Sequence, residues 1–299
     1  MGVIYKSPYD EYYSIDIIKR QPREIPSNAY HNRFEGWWGK MTLEIKAVSK
    51  VFVGTGNYEL DKEGIYHPFA RIGAPPHRKL VIPGTTIKGV VRTYAEALSP
   101  SCEGGECKEC FCCSIFGALG FQGRITFCDT MPIDPKSVHL IKYNMSVRWS
   151  GGFKEGRRFY YHEKPASPQI LNPRTGKPFP KERVETVLEG TYFISALFFE
   201  NLNQEEIGLL LLAMGLSPNH RFNLKLGGGK NRRLGSVRFG LSSGIQLASS
   251  NAYNSFSLTY DTKQMKDWGK EVVEAYLNSL PNEKRSLVLE SIQAFQKDP

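Results

Sequence analysis

The chain changes abruptly from an extended to a helical pattern at residues 82–92, which read Ile-Pro-Gly-Thr-Thr-Ile-Lys-Gly-Val-Val-Arg. The Pro-Gly pair ends an extended run, and apolar residues then recur at helical spacing. The hydroxyl of Thr85 or Thr86 is expected to cap the free amides of the first turn. The pattern therefore predicts a helix over residues 85–98 with one face against a core.

Two cations share one face of this predicted helix. Lys88 and Arg92 lie four residues apart, close to the positive N-terminal end of the helix dipole. Backbone amides and dipole both favour a phosphate at such a position, which makes the segment a candidate anion site. A capped amphipathic helix with two solvated cations explains the same pattern, and this segment alone does not decide between the two.

Composition narrows the class of protein. The chain has 299 residues, of which 40% are hydrophobic, enough for one large or two modest globular domains. Its 39 Lys and Arg against 30 Asp and Glu give a net charge of +9, which suits a polyanionic partner. No apolar run approaches the roughly 20 residues that span a bilayer, and the N-terminus resembles no signal sequence. We therefore expect a cytoplasmic protein.

Hydrophobic periodicity outlines the remaining elements. Residues 1–40 are aromatic and irregular, and we expect an N-terminal extension that wraps a surface. Asn203 is placed to cap a second helix that carries Glu205 and Glu206 in its first turn. Alternating or continuous apolar residues predict strands over 41–53, 123–129, 191–200 and 236–241.

Two long stretches interrupt or follow these elements. Residues 131–189 form an insertion rich in Gly, Pro, Arg and Tyr, and connections of that length are usually functional or disordered. Residues 263–299 carry two helical patterns separated by Pro281, which we expect to pack as an accessory hairpin. Without these additions the order is strand, helix, strand, strand, helix, strand, the ferredoxin-like plan. The sequence thus predicts an α+β fold whose modified ferredoxin-like core comprises residues 41–130 and 190–245.

Five of the six cysteines lie close together, unlike the spread disulfide framework of a secreted protein. The spacing Cys102-x4-Cys107-x2-Cys110-x2-Cys113 allows four thiolates to close tetrahedrally around zinc. Cys112 could replace its neighbour Cys113 as a ligand, and a set of free, partly buried cysteines is the other explanation. Four protein ligands leave no open coordination position, so a zinc ion in this 102–113 knuckle would be structural.

A glycine loop at residues 226–235, Leu-Gly-Gly-Gly-Lys-Asn-Arg-Arg-Leu-Gly, is the second candidate site. Glycines allow the backbone to approach a ligand closely, and the cations that follow suit a phosphate backbone. The spacing does not fit a Walker loop. A tight, solvated hairpin with incidental cations is the alternative. The residues assigned to this site are Gly227, Gly228, Gly229, Lys230, Arg232 and Arg233.

Cations alternate with aromatic residues in the 131–189 insertion. This composition suits single-stranded nucleic acid, whose phosphates attract cations and whose bases stack on rings. A disordered basic loop is the competing explanation. The set is Lys142, Arg148, Trp149, Lys154, Arg157, Arg158, Phe159, Tyr160, Tyr161 and Lys164, of which Arg148, Arg157, Arg158 and Tyr160 are assigned to the nucleic acid.

Catalytic signals are weak in this sequence. The six histidines fall in polar or loop contexts without a nucleophile or carboxylate at a telling spacing, so most are expected at the surface. No segment matches a nucleophile elbow or a paired-histidine metalloenzyme helix.

Four motifs follow one another along the chain. They are Ile-Pro-Gly-Thr-Thr-Ile-Lys-Gly at 82–89, Cys-x2-Cys-Ser-Ile-Phe-Gly at 110–117, Gly-Arg-Ile at 123–125 and the glycine loop at 227–235. In this combination the chain resembles the RAMP superfamily of CRISPR effector proteins, and in particular the backbone-type subunits of type III complexes. The resemblance covers residues 41–242.

The resemblance implies a core like the ferredoxin or RNA-recognition fold that binds guide RNA and stacks with neighbouring subunits. The 131–189 insertion would be a thumb that wedges between bases. Lys88 and Arg92 would lie on the guide backbone, and Gly227, Gly228, Gly229, Lys230 and Arg232 would form the other phosphate-facing loop. Thr85 and Thr86 are also assigned to RNA binding. The implied partners are crRNA, target RNA and other CRISPR effector subunits.

One departure from the family pattern concerns cleavage. Members that cut target RNA carry an aspartate shortly before a proline in the loop ahead of the Ile-Pro-Gly motif, whereas residues 64–69 here read Gly-Ile-Tyr-His-Pro-Phe. The expectation is a binding or capping subunit without catalytic residues, with Asp61 as the one candidate if the loop aligns differently. Two alternatives remain open: a RAMP endoribonuclease that uses a histidine beside the glycine loop, and a zinc-stabilised protein-interaction module.

Overall fold

The structure is a computed structural model that describes residues 5–6, 12–20, 25–102, 107–136, 138–146, 156–162, 175–177, 181–248, 261–263 and 265–297. The α-helices in these ranges are α1 (Gly84–Ala97), α2 (Phe111–Phe116), α3 (Gln204–Ala213), α4 (Lys270–Ser279) and α5 (Asn282–Gln296). Short 3-10 turns occupy Ser27–Ala29 and Lys230–Arg232, and a π-helical turn at Met265–Gly269 leads into α4. In the described ranges, no helix is both long and apolar enough to cross a membrane.

The described strands, in chain order, are β1 (Tyr5–Lys6), β2 (Tyr12–Ile15), β3 (Trp37–Ala47), β4 (Glu59–Asp61), β5 (Gly64–Tyr66), β6 (Arg71–Ile72), β7 (Lys79–Leu80), β8 (Ile125–Phe127), β9 (Met131–Pro132), β10 (Leu140–Ser146), β11 (Arg157–Tyr160), β12 (Lys181–Val187), β13 (Tyr192–Leu202), β14 (Leu224–Lys225), β15 (Ser236–Leu241), β16 (Ile245–Ala248) and β17 (Asp261–Lys263). The chain thus has the mixed helix and strand content that its sequence predicts.

The largest sheet is antiparallel and centres on the two longest strands, β3 and β13. Its main path runs β14-β15-β3-β13-β8, with β16 also paired to β3 and β9 to β13. Alternate residues of β3, including Met41, Leu43 and Ile45, are fully buried, which is the period-two pattern of a sheet with one face on a core. Helices α1 and α3 contribute Ile87, Val91 and a run of leucines to the same buried cluster.

Several predicted boundaries are confirmed, and others shift. Strand β15 matches its prediction, and the helix predicted after Pro83 begins at Gly84. Strand β3, in contrast, begins at Trp37 and ends at Ala47, because the amides of Val48 and Ser49 turn to the carbonyl of Ser236. The strand predicted at 123–129 is shortened to β8, and that predicted at 191–200 extends to residue 202 as β13.

The predicted capping of the two core helices gives one error and one success. No threonine side chain caps α1; instead the amide of Gly84 donates to Asp129 Oδ1 at 2.8 Å. Gly84 suits this crowded position, because a Cβ there would lie 1.9 Å from the carbonyl oxygen of Phe127. Helix α3 has the predicted cap: Asn203 accepts from the amide of Glu206, whose carboxylate accepts in return.

The N-terminal extension and part of the insertion pack together against the core. Strand β2 pairs with β1 on one side and with β11 on the other. Phe159 on β11 is buried against Tyr94 of α1 and Phe295 of α5, and Arg157 forms an ion pair with Glu96. Strands β10 and β12 form a separate two-stranded ribbon.

The two C-terminal helices flank Pro281 as the sequence predicts. Val272, Tyr276 and Ile292 are buried in the same cluster as the sheet. The hydroxyl of Tyr276 donates to the carbonyl of Leu98 at the end of α1. These helices therefore cover α1 and α3 as part of one continuous core.

A buried ion pair fastens the start of α3 to the sheet. Arg124 and Glu206 are both fully buried, and their side chains bond to each other. Glu206 also accepts hydrogen bonds from Asn28 and Ser114, so its carboxylate binds the 3-10 turn at Ser27–Ala29 and helix α2 as well. Removing one member of such a pair leaves an uncompensated charge without water.

We predict that Glu206→Gln lowers the free energy of unfolding by about 3–5 kcal/mol, because Arg124 would keep its charge without its carboxylate. Urea denaturation measures the change. The matched control is Glu205→Gln in the same helical turn, whose loss should stay below about 1 kcal/mol because only the helix dipole is affected. Equal losses in the two variants would show that the buried pair contributes nothing specific.

Candidate nucleic-acid interface and metal centre

A cleft of about 510 Å³ lies between helix α1, the glycine loop and the segment after β3. It brings together two motifs that stand more than 130 residues apart in the sequence. One wall carries Thr85, Thr86, Gly89, Val90 and Thr93 of α1, and the rest is lined by Phe52, Val53, Gly54, Gly56, His67, Gly227, Gly228 and Lys230. The predicted sites Thr85, Thr86, Gly227, Gly228 and Lys230 therefore share one surface.

The glycine loop approaches the segment after β3 as closely as backbone atoms allow. The amide of Gly228 donates to the carbonyl oxygen of Phe52 at 2.8 Å. Gly227 has a φ of +83°, and a Cβ there would lie 2.0 Å from that same oxygen. No other residue fits this position without moving the chain. The glycines thus hold the loop against Phe52 rather than leaving an open hairpin.

Lys230 is the cation of the glycine loop that lines the cleft. It begins a 3-10 turn directly after Gly229, and burial lowers its pKa. Among the described residues, no carboxylate lies within ion-pair distance of its ammonium group. A partly desolvated cation without a counter-charge favours an anionic ligand.

The two arginines of the glycine loop are placed differently from Lys230. Arg232 ends the 3-10 turn, and Arg233 follows it in a left-handed conformation with φ of +65°. The carbonyl of Arg233 accepts from the hydroxyl of Ser49 at 2.9 Å. Neither arginine lines the cleft.

Lys88 and Arg92 lie on a neighbouring face of α1 and make contacts within the protein. Lys88 Nζ donates to the carbonyl of Ile125 at 3.0 Å, and burial, reinforced by the nearby Arg92, lowers its pKa. Arg92 donates to Glu96 and to the carbonyl of Gly117, each at 2.9 Å. These two cations are thus half-buried and already bonded, unlike Lys230.

The predicted residues of the insertion separate into two groups. Arg157 is paired with Glu96, whereas Arg158 lies 4.9 Å from the centre of the Tyr12 ring, and Tyr160 packs edge-on against that same ring. Arg158 and Tyr160 also line a small pocket that adjoins Lys230. Arg148, like Trp149, Lys154 and Lys164, lies outside the described residues.

Sequence reasoning missed His67 as a cleft residue. Its backbone is fixed by hydrogen bonds of 2.8 Å to Arg183 and Glu185, one on each side. Its ring packs 4.4 Å from that of Tyr58, and its Nε2 lies 3.3 Å from a carboxylate oxygen of Glu182. The pairing of residue 67 with strand β12 is a tertiary contact that no local pattern signals.

His162 differs from the surface histidines that the sequence predicts. Its side chain is buried beside Lys225 and bonds to the hydroxyl of Ser236 at 2.9 Å. Burial, with the charge of Lys225 as a smaller cause, lowers its pKa to about 3. His162 is therefore neutral at physiological pH and belongs to the packing beneath the glycine loop.

Asp61 forms a link between the β4–β5 hairpin and the β10–β12 ribbon. Its carboxylate accepts from both Nη atoms of Arg183, at 2.8 and 3.1 Å, and from Lys142. The hydrogen bond from Arg183, followed by that from Lys142, lowers the pKa of Asp61 well below its usual range. Two cations thus already neutralise the carboxylate that the sequence raised as a catalytic candidate.

Four cysteines form a cluster beside the start of α2. The sulfur atoms of Cys102, Cys107, Cys110 and Cys113 all lie within 4.8 Å of one another. The Cys102–Cys113 and Cys110–Cys102 sulfur distances are 3.5 and 4.0 Å. These are near the edge of about 3.8 Å that follows from four sulfurs at about 2.3 Å from a tetrahedral metal. The cluster can hold a metal ion.

Backbone amides add to the thiolate character of this cluster. The amide of Cys110 donates to Cys107 Sγ at 3.3 Å, and that of Cys113 donates to Cys110 Sγ at 3.4 Å. The hydrogen bond with the Cys113 thiol is the largest cause that lowers the pKa of Cys110, to about 4. Metal ligation by cysteine requires this deprotonated form.

The structure also decides between Cys112 and Cys113. Cys112 lies on the other side of α2, where its sulfur is 3.3 Å from the hydroxyls of both Ser99 and Ser101. Burial raises its pKa to about 12. Cys113, and not Cys112, is therefore the fourth member of the cluster.

We predict that Cys110→Ser removes metal binding, because three sulfurs and one hydroxyl no longer present four thiolates to a thiophilic ion. Elemental analysis of the purified protein, with cobalt absorption as a probe of tetrahedral thiolate ligation, measures the occupancy. Cys112→Ser is the matched control and should retain about one ion per chain. Equal metal content in both variants would exclude the cluster as the metal site.

The chain is similar to a known protein family. The family model of the RAMP superfamily matches residues 44–238, a range that contains the cleft, Asp61 and the cysteine cluster. A comparison of the chain with curated proteins gave no match. The family suggests a CRISPR-associated, RNA-binding role. Because the match covers more than half of the chain, this protein belongs to the RAMP superfamily.

Proposed function

We propose that this protein is a guide-RNA-binding subunit of a type III CRISPR effector complex, which holds crRNA and displays it for pairing with target RNA. The observation that carries the proposal is the cleft itself. It joins the start of α1 to the glycine loop and contains Lys230, a partly desolvated cation that pairs with no carboxylate of the described residues. An RNA phosphate would supply the missing counter-charge.

The geometry suggests an order among the predicted RNA contacts. Lys230, Thr85 and Thr86 line the cleft directly. Lys88 and Arg92 would have to exchange protein acceptors for phosphate. We therefore assign the primary phosphate contact to Lys230. Arg158 and Tyr160, in the adjoining pocket, would extend the path of the strand.

We further propose a ferredoxin-like core with added segments. Along the chain the core elements follow the predicted order β3, α1, β8, β13, α3, β15. In the sheet the four strands lie side by side in the order β15-β3-β13-β8. In this division the core comprises residues 41–130 and 190–245. The 1–40 extension, the 131–189 thumb and the 263–299 helices would be additions, and the β10–β12 ribbon would belong to the thumb.

Zinc is the metal that best suits the cysteine cluster. Four thiolate ligands with no open coordination position are typical of a structural zinc site. Cys102, Cys107, Cys110 and Cys113 would hold the ion, and its role would be to order the short segment between α1 and α2. Such a site stabilises the fold and takes no part in cleavage.

A second candidate function, RNA cleavage, is favoured by the position of His67. Its imidazole lines the cleft beside the glycine loop, where it could act as a general base, as in a RAMP endoribonuclease. Metal-independent cleavage of guide precursors that is lost in His67→Ala, with binding retained, would support this function over the first.

We predict that Lys230→Gln weakens single-stranded RNA binding and lowers the slope of log affinity against log salt by about 0.7, the value for one phosphate contact. Fluorescence anisotropy at several salt concentrations measures both quantities. The control is Lys270→Gln, which removes the same charge from an exposed position of α4 that does not line the cleft. A Lys230→Gln variant that behaves like the control would remove the cleft as the phosphate site.

We predict that Asp61→Asn leaves target-RNA cleavage by the assembled complex unchanged in magnesium, because Arg183 and Lys142 already occupy this carboxylate. The matched control is Glu63→Gln, since Glu63 also binds Arg183. Loss of one regularly spaced cut in the Asp61 variant, but not in the Glu63 variant, would make Asp61 catalytic and contradict a purely binding role.

A further inference from the structure

The large sheet has a second, outward surface that neither the cleft nor the helices use. We call the outward side chains of its two central strands the outer sheet face. On β13, Tyr192, Ile194 and Phe198 are 39%, 41% and 45% exposed. The outward residues of β3, from Lys40 to Lys46 in steps of two, complete the face. Three large apolar side chains are thus open to solvent on a regular strand.

Each exposed ring on this face has a lysine as its cross-strand neighbour. Tyr192 is paired with Lys46, whose ammonium lies 5.4 Å from the ring centre. Phe198 is paired with Lys40 at 5.7 Å. The strand register fixes these pairs, because directly opposite residues share a face. Ring and cation therefore alternate at both ends of the face.

The charge of the outer sheet face is positive. Lys40 and Lys46 stand against two carboxylates, Glu44 and Glu200, of which Glu200 is already bound to His31, and Arg238 adds a third cation on the adjacent strand β15. In the part of the chain that the structure describes, neither lysine forms an ion pair. Arg238 donates instead to the neutral side chain of Asn223. A polyanion complements this face better than an acidic side chain or a neutral protein surface does.

We propose that the outer sheet face binds a second stretch of single-stranded RNA, with bases stacked on Tyr192 and Phe198 and phosphates near Lys40 and Lys46. The inference extends the proposed function, since the partner is again RNA, but places it on a different surface. Base stacking on exposed sheet aromatics and phosphate pairing with adjacent cations are the two interactions that single strands require.

The spacing of the two rings fits this ligand. Tyr192 and Phe198 are six residues apart on one strand, which corresponds to about 20 Å at about 3.3 Å per residue. Four-stranded sheets that bind RNA stack two or three bases on one face. Ile194, Glu44, Ala196 and Thr42 lie between the two ring–lysine pairs. A short run of unpaired nucleotides can therefore lie across the face.

A protein partner would be expected to meet a different surface. The centres of protein interfaces are depleted in lysine, because burying an unpaired ammonium is costly. Here Lys40 and Lys46 each lie directly beside an exposed ring, so a protein that covered the rings would bury both charges. A nucleic acid turns the same two charges into favourable contacts, which is why we favour RNA.

The test combines crosslinking with affinity. A 20-nucleotide single-stranded oligouridine is irradiated with the full chain, and crosslinked peptides are mapped by mass spectrometry. The proposal predicts crosslinks at Tyr192 or Phe198 in the unmodified protein and also in Lys230→Gln. Replacing both rings by alanine should weaken binding by at least about fivefold, the lower limit for loss of one base stack.

A matched variant separates stacking from general loss of aromatic surface. Tyr30 is 44% exposed and packs near Phe121, outside the outer sheet face, so Tyr30→Ala should leave the affinity unchanged. Phe198→Tyr keeps a ring and should retain binding. Circular dichroism and urea unfolding confirm that each variant is folded.

The outcomes distinguish this proposal from the proposed function. Crosslinks confined to the cleft, with unchanged affinity in the double-alanine variant, overturn the second surface and leave the first. Absence of RNA binding in every protein tested overturns both. If the double-alanine variant binds RNA normally but no longer assembles with neighbouring subunits, the outer sheet face is a protein interface and the proposal is wrong.

Discussion

The cleft depends on one backbone contact, the approach of the glycine loop to the carbonyl of Phe52. The amide of Gly228 bonds to that oxygen, and only a residue without a side chain fits at Gly227. This contact holds the loop beside α1 at a fixed distance, so that Lys230 emerges at the edge of the cleft. This local constraint thus places Lys230 beside α1, although the two lie far apart in the sequence.

Burial and pairing separate the structural cations from the candidate ligand-binding ones. Arg124, Arg157 and Arg183 each bond to carboxylates and hold elements together. Among the described residues, Lys230 has no carboxylate partner in the cleft, and Lys40 and Lys46 lie over the exposed rings of the outer sheet face. The basic residues behind the net charge of +9 therefore form two sets. Those bonded to carboxylates hold the fold together, and the others suit RNA. This division explains why counting basic residues in a motif overstates its binding site.

Sequence reasoning predicted those features that are set by local chemistry. The Asn203 capping box, the helix after Pro83 and the strand at β15 all follow from short-range patterns. The cysteine spacing likewise anticipated the cluster of Cys102, Cys107, Cys110 and Cys113.

Features set by contacts between distant residues were not predictable in this way. The cap of α1 comes from Asp129, 45 residues away, and His67 enters the cleft through its pairing with β12. Burial of Phe159 depends on β11 crossing back to the N-terminal strands. Lys88 and Arg92 were placed on the right helix, but their bonds to Ile125, Glu96 and Gly117 arise from tertiary packing.

The central claim, that RNA lies in the cleft against α1, is tested most directly by adding bulk at Gly89. This residue is exposed on the cleft wall, and a Cβ there would meet no atom within 4 Å. Replacing it by leucine should stabilise α1 by up to about 1 kcal/mol, since glycine is a poor helix former.

The account predicts that Gly89→Leu is at least as stable as the native chain yet binds single-stranded RNA about tenfold or more weakly, a loss of about 1.4 kcal/mol. Gly89→Ala, which adds one methyl group, should have a smaller effect. Unchanged RNA affinity in a stably folded Gly89→Leu protein would contradict the claim and show that the strand does not occupy the cleft.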